Sequence, residues 1–188
     1  FVSVPLYPTL AACTVRQILE HSETKLLFIG KLDDWDTMKT GVPEGLPCIS
    51  LPLAPPNPHP RWSSVIAGLV PLAGEPVRGG DELCTLMYTS GTTGNPKGVM
   101  HSFDNFARAI TEGLARIPMD ASYRMLSYLP LSHIAERIMV EHGLLATGMQ
   151  LFFAESLETF AQDMQRARPT FFFSVPRLWI KFKEGVDA

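Results

Sequence analysis

The sequence has little of what usually assigns a class at first sight. Cysteine is scarce: Cys13, Cys48 and Cys84 are widely spaced and form no CxxC pair. That argues against a disulfide framework and a structural zinc site, and for a reducing compartment. No Lys/Arg cluster is present and the formal net charge is −3, so the electrostatic footprint of a nucleic-acid binder is missing. Apolar runs such as Lys25-Leu26-Leu27-Phe28-Ile29 fall far below the roughly 18 residues of a membrane span. There are no internal repeats and no low-complexity tract. His21, His59, His101 and His142 show no metal-ligand spacing.

What is present suffices for a domain. The chain has 188 residues, 46% of them hydrophobic, enough to bury a real core. It opens on Phe1 and a strand-like Val2-Ser3-Val4, with no signal peptide visible, and reads as a fragment of a longer protein. Val15, Ile18 and Leu19 share one helical face, and Leu26 to Ile29 is a strand-like run. Residues 43–60 hold seven prolines, so an irregular connection is expected there, with at most a short strand near Cys48 to Leu51. An ordered loop is the expectation rather than a linker, because Trp62, Val65, Ile66 and Leu69 follow with helical spacing.

From residue 83 onward strands and helices alternate. Leu83–Tyr88 and Gly98–His101 read as strands. Phe103, Phe106, Ala107, Ile110, Leu114 and Ile117 form a helical stripe stopped by Pro118. Strands follow at Met125–Leu129, Gln150–Phe153 and Thr170–Ser174. Helices are expected from Ile134 to Ala146, around Leu157, Phe160, Ala161 and Met164, and from Pro176 onward. Alternation of this kind predicts an α/β fold, a mostly parallel sheet covered by helices.

The chemistry concentrates in Tyr88-Thr89-Ser90-Gly91-Thr92-Thr93-Gly94-Asn95-Pro96-Lys97-Gly98, directly after a buried strand. Glycines permit φ > 0 and close backbone approach, so successive N–H groups turn inward on an anion. The hydroxyls of Thr89, Ser90, Thr92 and Thr93 add donors, and Lys97 supplies a compact positive charge. A flexible solvent loop has the same composition, and composition alone does not separate the two. A Walker A loop is excluded, because Pro96 precedes Lys97 and Gly98 follows it.

The run Leu86 to Gly98 resembles the signature loop of the adenylate-forming (AMP-binding) superfamily. Leu129-Pro130-Leu131-Ser132-His133-Ile134-Ala135-Glu136-Arg137, the opening Val4-Pro5-Leu6-Tyr7-Pro8-Thr9-Leu10 and Ser174-Val175-Pro176-Arg177-Leu178-Trp179 are similar to its long-chain fatty-acid–CoA ligases. The resemblance covers almost the whole chain. It implies an acid–thiol ligase of fatty acid metabolism that uses ATP, Mg²⁺ and CoA, first forming an acyl-adenylate and then acyl-CoA. On that basis residues 1–188 are part of the N-terminal AMP-binding domain: 1–42 a βαβ-like segment, 43–80 a Pro-rich connection, and 83–188 the phosphate loop with its βα units. The rest of that domain and the whole C-terminal domain are expected to be absent, leaving this chain alone inactive.

The resemblance also implies residue roles. Thr89, Ser90, Gly91, Thr92, Thr93, Gly94 and Lys97 bind the nucleotide phosphates, with Thr92 and Thr93 in the metal shell and Lys97 neutralising the leaving group. His133 follows a strand end, where a structural histidine and a ligand contact both fit; the resemblance puts it beside the acyl carboxylate, orienting or gating it. Arg177, which opens the last helix beside another strand end, is a second substrate contact. Arg137 and Glu141 read as a solvated i,i+4 pair, and Trp179 and Phe182 as core. The expected partners are fatty acid, ATP and CoA, without nucleic acid. The expected location is cytoplasmic, with peripheral membrane contact suited to an insoluble substrate. Competing readings are an acyl-AMP ligase delivering to a carrier protein, an adenylate former with a different acid, and a non-catalytic nucleotide- or lipid-binding module.

Overall fold

The structure, a computed structural model, describes residues 1–74, 77–89 and 95–187, and the side chains of 177, 181 and 185–187 are not described. The chain divides into two units: residues 1–108 with 130–134, and residues 109–129 with 135–188.

In the first unit, helix α1 (Ala12–His21) turns Val15, Ile18 and Leu19 inward, as their spacing requires. Strands β1 (Leu27–Ile29) and β2 (Cys48–Ser50) pair in parallel. Between them lie the short helix α2 (Trp35–Met38), started by the Asp34 carboxylate accepting from the Thr37 N–H, and a 3₁₀ turn (Lys39–Gly41). Val15, Leu19, Ile29, Trp35, Met38 and Cys48 form one apolar cluster. Gly41 sits so close to α1 that an added Cβ would lie 2.1 Å from the Ala12 carbonyl oxygen.

The proline-rich stretch is an ordered loop organised by Asn57. Its Oδ1 accepts from Ser50 Oγ (2.7 Å) and the His59 N–H (3.0 Å), while its Nδ2 donates to the Pro55 carbonyl (2.7 Å). Side-chain amides thus satisfy backbone that proline cannot pair. Helix α3 (Trp62–Ile66) is shorter than its apolar spacing suggests; Gly68, at φ +78°, ends the run before Leu69.

Strands β3 (Leu83–Thr89) and β4 (Lys97–Ser102) form an antiparallel pair, the connection of residues 90–96 being too short for a parallel crossover. Ser3 bridges to Thr85, whose buried Oγ1 donates to the Ser3 carbonyl at 2.7 Å. Helix α4 (Phe103–Arg116) follows β4 directly.

The second unit is built around β5 (Arg124–Ser127), paired in parallel with β6 (Gln150–Phe153). Alternation sends Met125 to one face, against Val140 and Met149, and Leu126 to the other, against Phe160 and Ala167. The first face is covered by one continuous helical run: α5 (Ile134–Glu136), a π-helical segment (Arg137–His142) and α6 (Gly143–Thr147), ended by Gly148 in the left-handed region. Helices α7 (Phe160–Ala167) and α8 (Pro176–Asp187) cover the second, with Phe172, Trp179 and Phe182 in mutual ring contact. Trp179 nevertheless remains 51% exposed, at the margin of that cluster rather than in its core.

The fold is α/β as expected, with two of its three strand pairs parallel among the described residues. Thr170–Ser174 is not a strand. The N–H groups of Thr170 and Phe171 converge on one acceptor, the Arg124 carbonyl (2.9 and 3.2 Å), so the ladder stops where it would begin. The Arg137–Glu141 pair forms at 3.0 Å, but it is not a solvated pair: the Arg137 side chain is only 9% exposed.

Candidate functional site

β3 is held on both edges before it reaches the loop. Thr85, Met87 and Tyr88 are buried, and Thr89, the last residue of the strand, is exposed. On the other side of the connection, Lys97 opens β4 and is likewise exposed. Thr89 and Lys97 are register partners, so a hydroxyl and an ammonium stand together at the loop end of the hairpin. A charge there needs no burial and is available to an incoming anion.

One register position deeper, Tyr88 pairs with Gly98. The Tyr88 hydroxyl, whose pKa burial pushes up, shares a hydrogen bond with His21 Nδ1 at 2.6 Å. The imidazole and phenol rings meet edge-on, their centroids 5.7 Å apart. Gly98 makes room for this ring, since a Cβ there would lie 3.2 Å from Tyr88 Cζ. The hairpin's root is therefore fixed to α1 by a contact spanning 67 residues of sequence.

His133 belongs to the same unit as the hairpin. It closes a turn in which its N–H donates to the Pro130 carbonyl at 2.8 Å. Ser132 Oγ and His133 Nδ1 are buried, with no hydrogen-bond partner among the described residues. Buried polar atoms left open in this way suit a polar ligand atom. Thr89 and Lys97 at the loop end, and the unpartnered Ser132 Oγ and His133 Nδ1 of the same unit, are the polar groups available to a ligand. Among the described residues, no group of three or more His, Cys, Asp or Glu is arranged to hold a metal.

In the second unit, Glu136 is 1% exposed and accepts from Ser127 Oγ at 2.5 Å. Burial pushes its carboxyl above the usual range, opposed by Ser127 and the backbone N–H groups of Tyr128 and Leu129. Glu136 thereby ties the exit of β5 to the helical run that covers it.

The structure brings together Thr89 and Lys97 and assigns His133 to their unit. Ser90, Gly91, Thr92, Thr93 and Gly94 lie outside the described residues. Arg177 is in the first turn of α8, in the second unit, and its side chain is not described. Sequence reasoning missed His21 and the buried Ser127–Glu136 pair. The only local signal for the latter was a serine ending a strand nine residues before an acid on an apolar helix.

The model of the AMP-binding enzyme family matches residues 1–187. The chain belongs to the AMP-binding enzymes. Among relatives in that family, Long chain acyl-CoA synthetase 4 of Arabidopsis thaliana is 31% identical over 98% of this chain and 30% of its own length. Fatty acyl-CoA synthetase A of Dictyostelium discoideum is 34% identical over 95% of this chain and 29% of its own. The chain thus spans about a third of the length of the relatives it matches. Solved AMP-binding enzymes share the fold. The inhibitor-bound N-terminal domain of FACL13 from Mycobacterium tuberculosis has a TM-score of 0.76 at 24% identity, covering 94% of this chain and 44% of that one. O-succinylbenzoate coenzyme A synthetase from Bacillus subtilis, in complex with ATP and magnesium ion, has a TM-score of 0.72 at 22% identity, covering 97% and 36%. Among the described residues, no helix is long and apolar enough to cross a membrane.

Proposed function

We propose that the protein carrying this chain activates a long-chain fatty acid with ATP and transfers the acyl group to the thiol of CoA. The observation that carries this is the exposed loop end of the hairpin, flanked by Thr89 and Lys97, in a chain whose relatives are long-chain acyl-CoA synthetases. In the first step the fatty-acid carboxylate attacks the α-phosphorus of ATP, the bond to the bridging oxygen breaks, and pyrophosphate leaves. The CoA thiol then attacks the acyl carbonyl carbon, the C–S bond forming as the C–O bond to the phosphate breaks, so that AMP leaves and the thiol proton is released. Two anions must meet in the first step, so positioning and charge neutralisation dominate the rate.

Each residue receives a role from that requirement. Lys97 neutralises charge building on the departing pyrophosphate. The Thr89 hydroxyl donates to a phosphate oxygen, joined by Ser90, Thr92, Thr93 and the N–H groups at Gly91 and Gly94. Thr92 and Thr93 would contribute to the shell of Mg²⁺, which would supply further charge neutralisation. His133 orients the acyl carboxylate; a carboxylate has no proton to surrender, so no general base is needed. Arg177 is the second contact on the acid side. Cytoplasmic location with peripheral contact at a membrane surface suits an insoluble acid.

The test is fatty-acid-dependent ATP–pyrophosphate exchange by the intact protein, with acetate and palmitate compared. Exchange with palmitate alone is expected, followed by thioester formation with CoA. Exchange with neither acid would leave a nucleotide- or lipid-binding role instead.

A further inference from the structure

Among the described residues, most arginines with an ion-pair partner find it four residues away: Arg16 with Glu20, Arg78 with Glu82, Arg116 with Glu112 and Arg137 with Glu141. At one place in the second unit Arg166, weakly paired with Asp163 at 3.9 Å, stands with two arginines that make no ion pair among the described residues. Arg124, Arg166 and Arg168 line a shallow cleft with Gln162 and Gln165, and no carboxylate contributes to the lining. Gln162, Gln165 and Arg166 recur at i, i+3 and i+4 along α7, which puts them on one helical face. Arg168 follows the helix in the left-handed region, at φ 44°.

Arg124 is the fixed member. Its guanidinium stacks on the Phe152 ring, 5.1 Å from the centroid, and donates to the Ala167 carbonyl through Nη2. Its Nε is buried without a partner among the described residues. Asp163 is already engaged, accepting from Thr159 Oγ1 (2.8 Å) and the Glu155 N–H (3.0 Å), and it reaches Arg166 only at 3.9 Å. Three guanidinium groups and two side-chain amides therefore line one cleft, with a single 3.9 Å ion pair to offset them, in a chain whose net charge is −3. Planar forks of this kind match the oxygens of a phosphate. Arg124 begins β5, so the cleft lies at the N-terminal end of a parallel strand, whereas open α/β sheets bind their principal ligands at the C-terminal ends.

We infer that this cleft is a binding site for a phosphomonoester group, separate from the phosphate loop. Free phosphate and the headgroup of an anionic phospholipid present the same chemistry. The site does not depend on the ligase reading, because none of its residues belongs to the machinery assigned above.

The intact protein is titrated with inorganic phosphate by calorimetry, and floated with phosphatidylcholine vesicles with and without phosphatidic acid. Two double variants are run beside it: Arg166→Gln with Arg168→Gln removes the exposed cations, and Gln162→Glu with Gln165→Glu opposes them while leaving every arginine in place. All four positions are exposed, so the fold tolerates the changes. Both variants are expected to weaken binding by at least about tenfold, with palmitate-dependent exchange unaffected. Loss confined to phosphate identifies a soluble ligand, and loss confined to the phosphatidic acid vesicles identifies a lipid headgroup. Each supports the site. If the wild type binds neither probe, or both variants bind as it does, there is no such site. A drop in melting temperature for the arginine variant without any change in binding would leave these arginines as caps of the α7 C-terminus only.

Discussion

Thr89 and Lys97 are the last register pair of the β3–β4 hairpin, both exposed, with the Gly/Thr-rich connection strung between them. Replacing Lys97 with alanine in the intact protein is expected to slow palmitate-dependent ATP–pyrophosphate exchange by about ten- to a hundredfold, the range set by losing a charged hydrogen bond. The melting temperature should not move, because the side chain buries nothing. A rate within about twofold of wild type would remove Lys97 from the leaving-group role.

Gly98→Ala tests the root of the same hairpin. The new Cβ meets Tyr88 at 3.2 Å, and the ring has little freedom to retreat while its hydroxyl is tied to His21 at 2.6 Å. Overpacking of this kind costs about 1–3 kcal/mol, read by denaturant unfolding. Combining it with Tyr88→Phe, which frees the ring, should cost less than the sum of the two single changes. Strict additivity would mean that the His21 contact does not restrain the ring.

His133→Ala should raise KM for the fatty acid, lower kcat, or both. Its Nδ1 is buried and open, so the imidazole is held without an internal partner among the described residues. Steady-state kinetics with palmitate as the varied substrate decide it; unchanged KM and kcat would make His133 structural.

Glu136 governs stability in the acid range. Its pKa is raised in the folded state, so between the ordinary carboxylate pKa and that raised value the folded protein holds more protons than the unfolded chain. Its contribution is therefore fully present at low pH and lost as pH rises through that window. Glu136→Gln keeps an acceptor for Ser127 and removes the charge, so it should flatten this decline and be at least as stable as wild type at neutral pH. Glu136→Ala leaves the Ser127 hydroxyl, 8% exposed, without its acceptor and should cost about 1–3 kcal/mol. Thermal melts of the three proteins across the acid range would check this. A glutamine variant that melts lower than wild type at neutral pH would contradict it.

Local chemistry was legible in the residues alone. The spacing of Val15, Ile18 and Leu19 marked α1, the run from Met125 marked the strand β5, and the Thr89–Lys97 run carried the family resemblance. These signals are carried by neighbours in the chain, through helix and strand periodicity and through glycine's freedom of backbone. Other features needed the folded chain. The direction of β3 relative to β4, the failure of Thr170–Ser174 to extend the sheet, the His21–Tyr88 tether and the convergence of Arg124 with Arg166 and Arg168 all join residues far apart in sequence or turn on a hydrogen-bond partner chosen elsewhere. Periodicity says which face of an element is apolar. Which other element meets that face, and which buried donor finds which acceptor, is decided only when the elements pack.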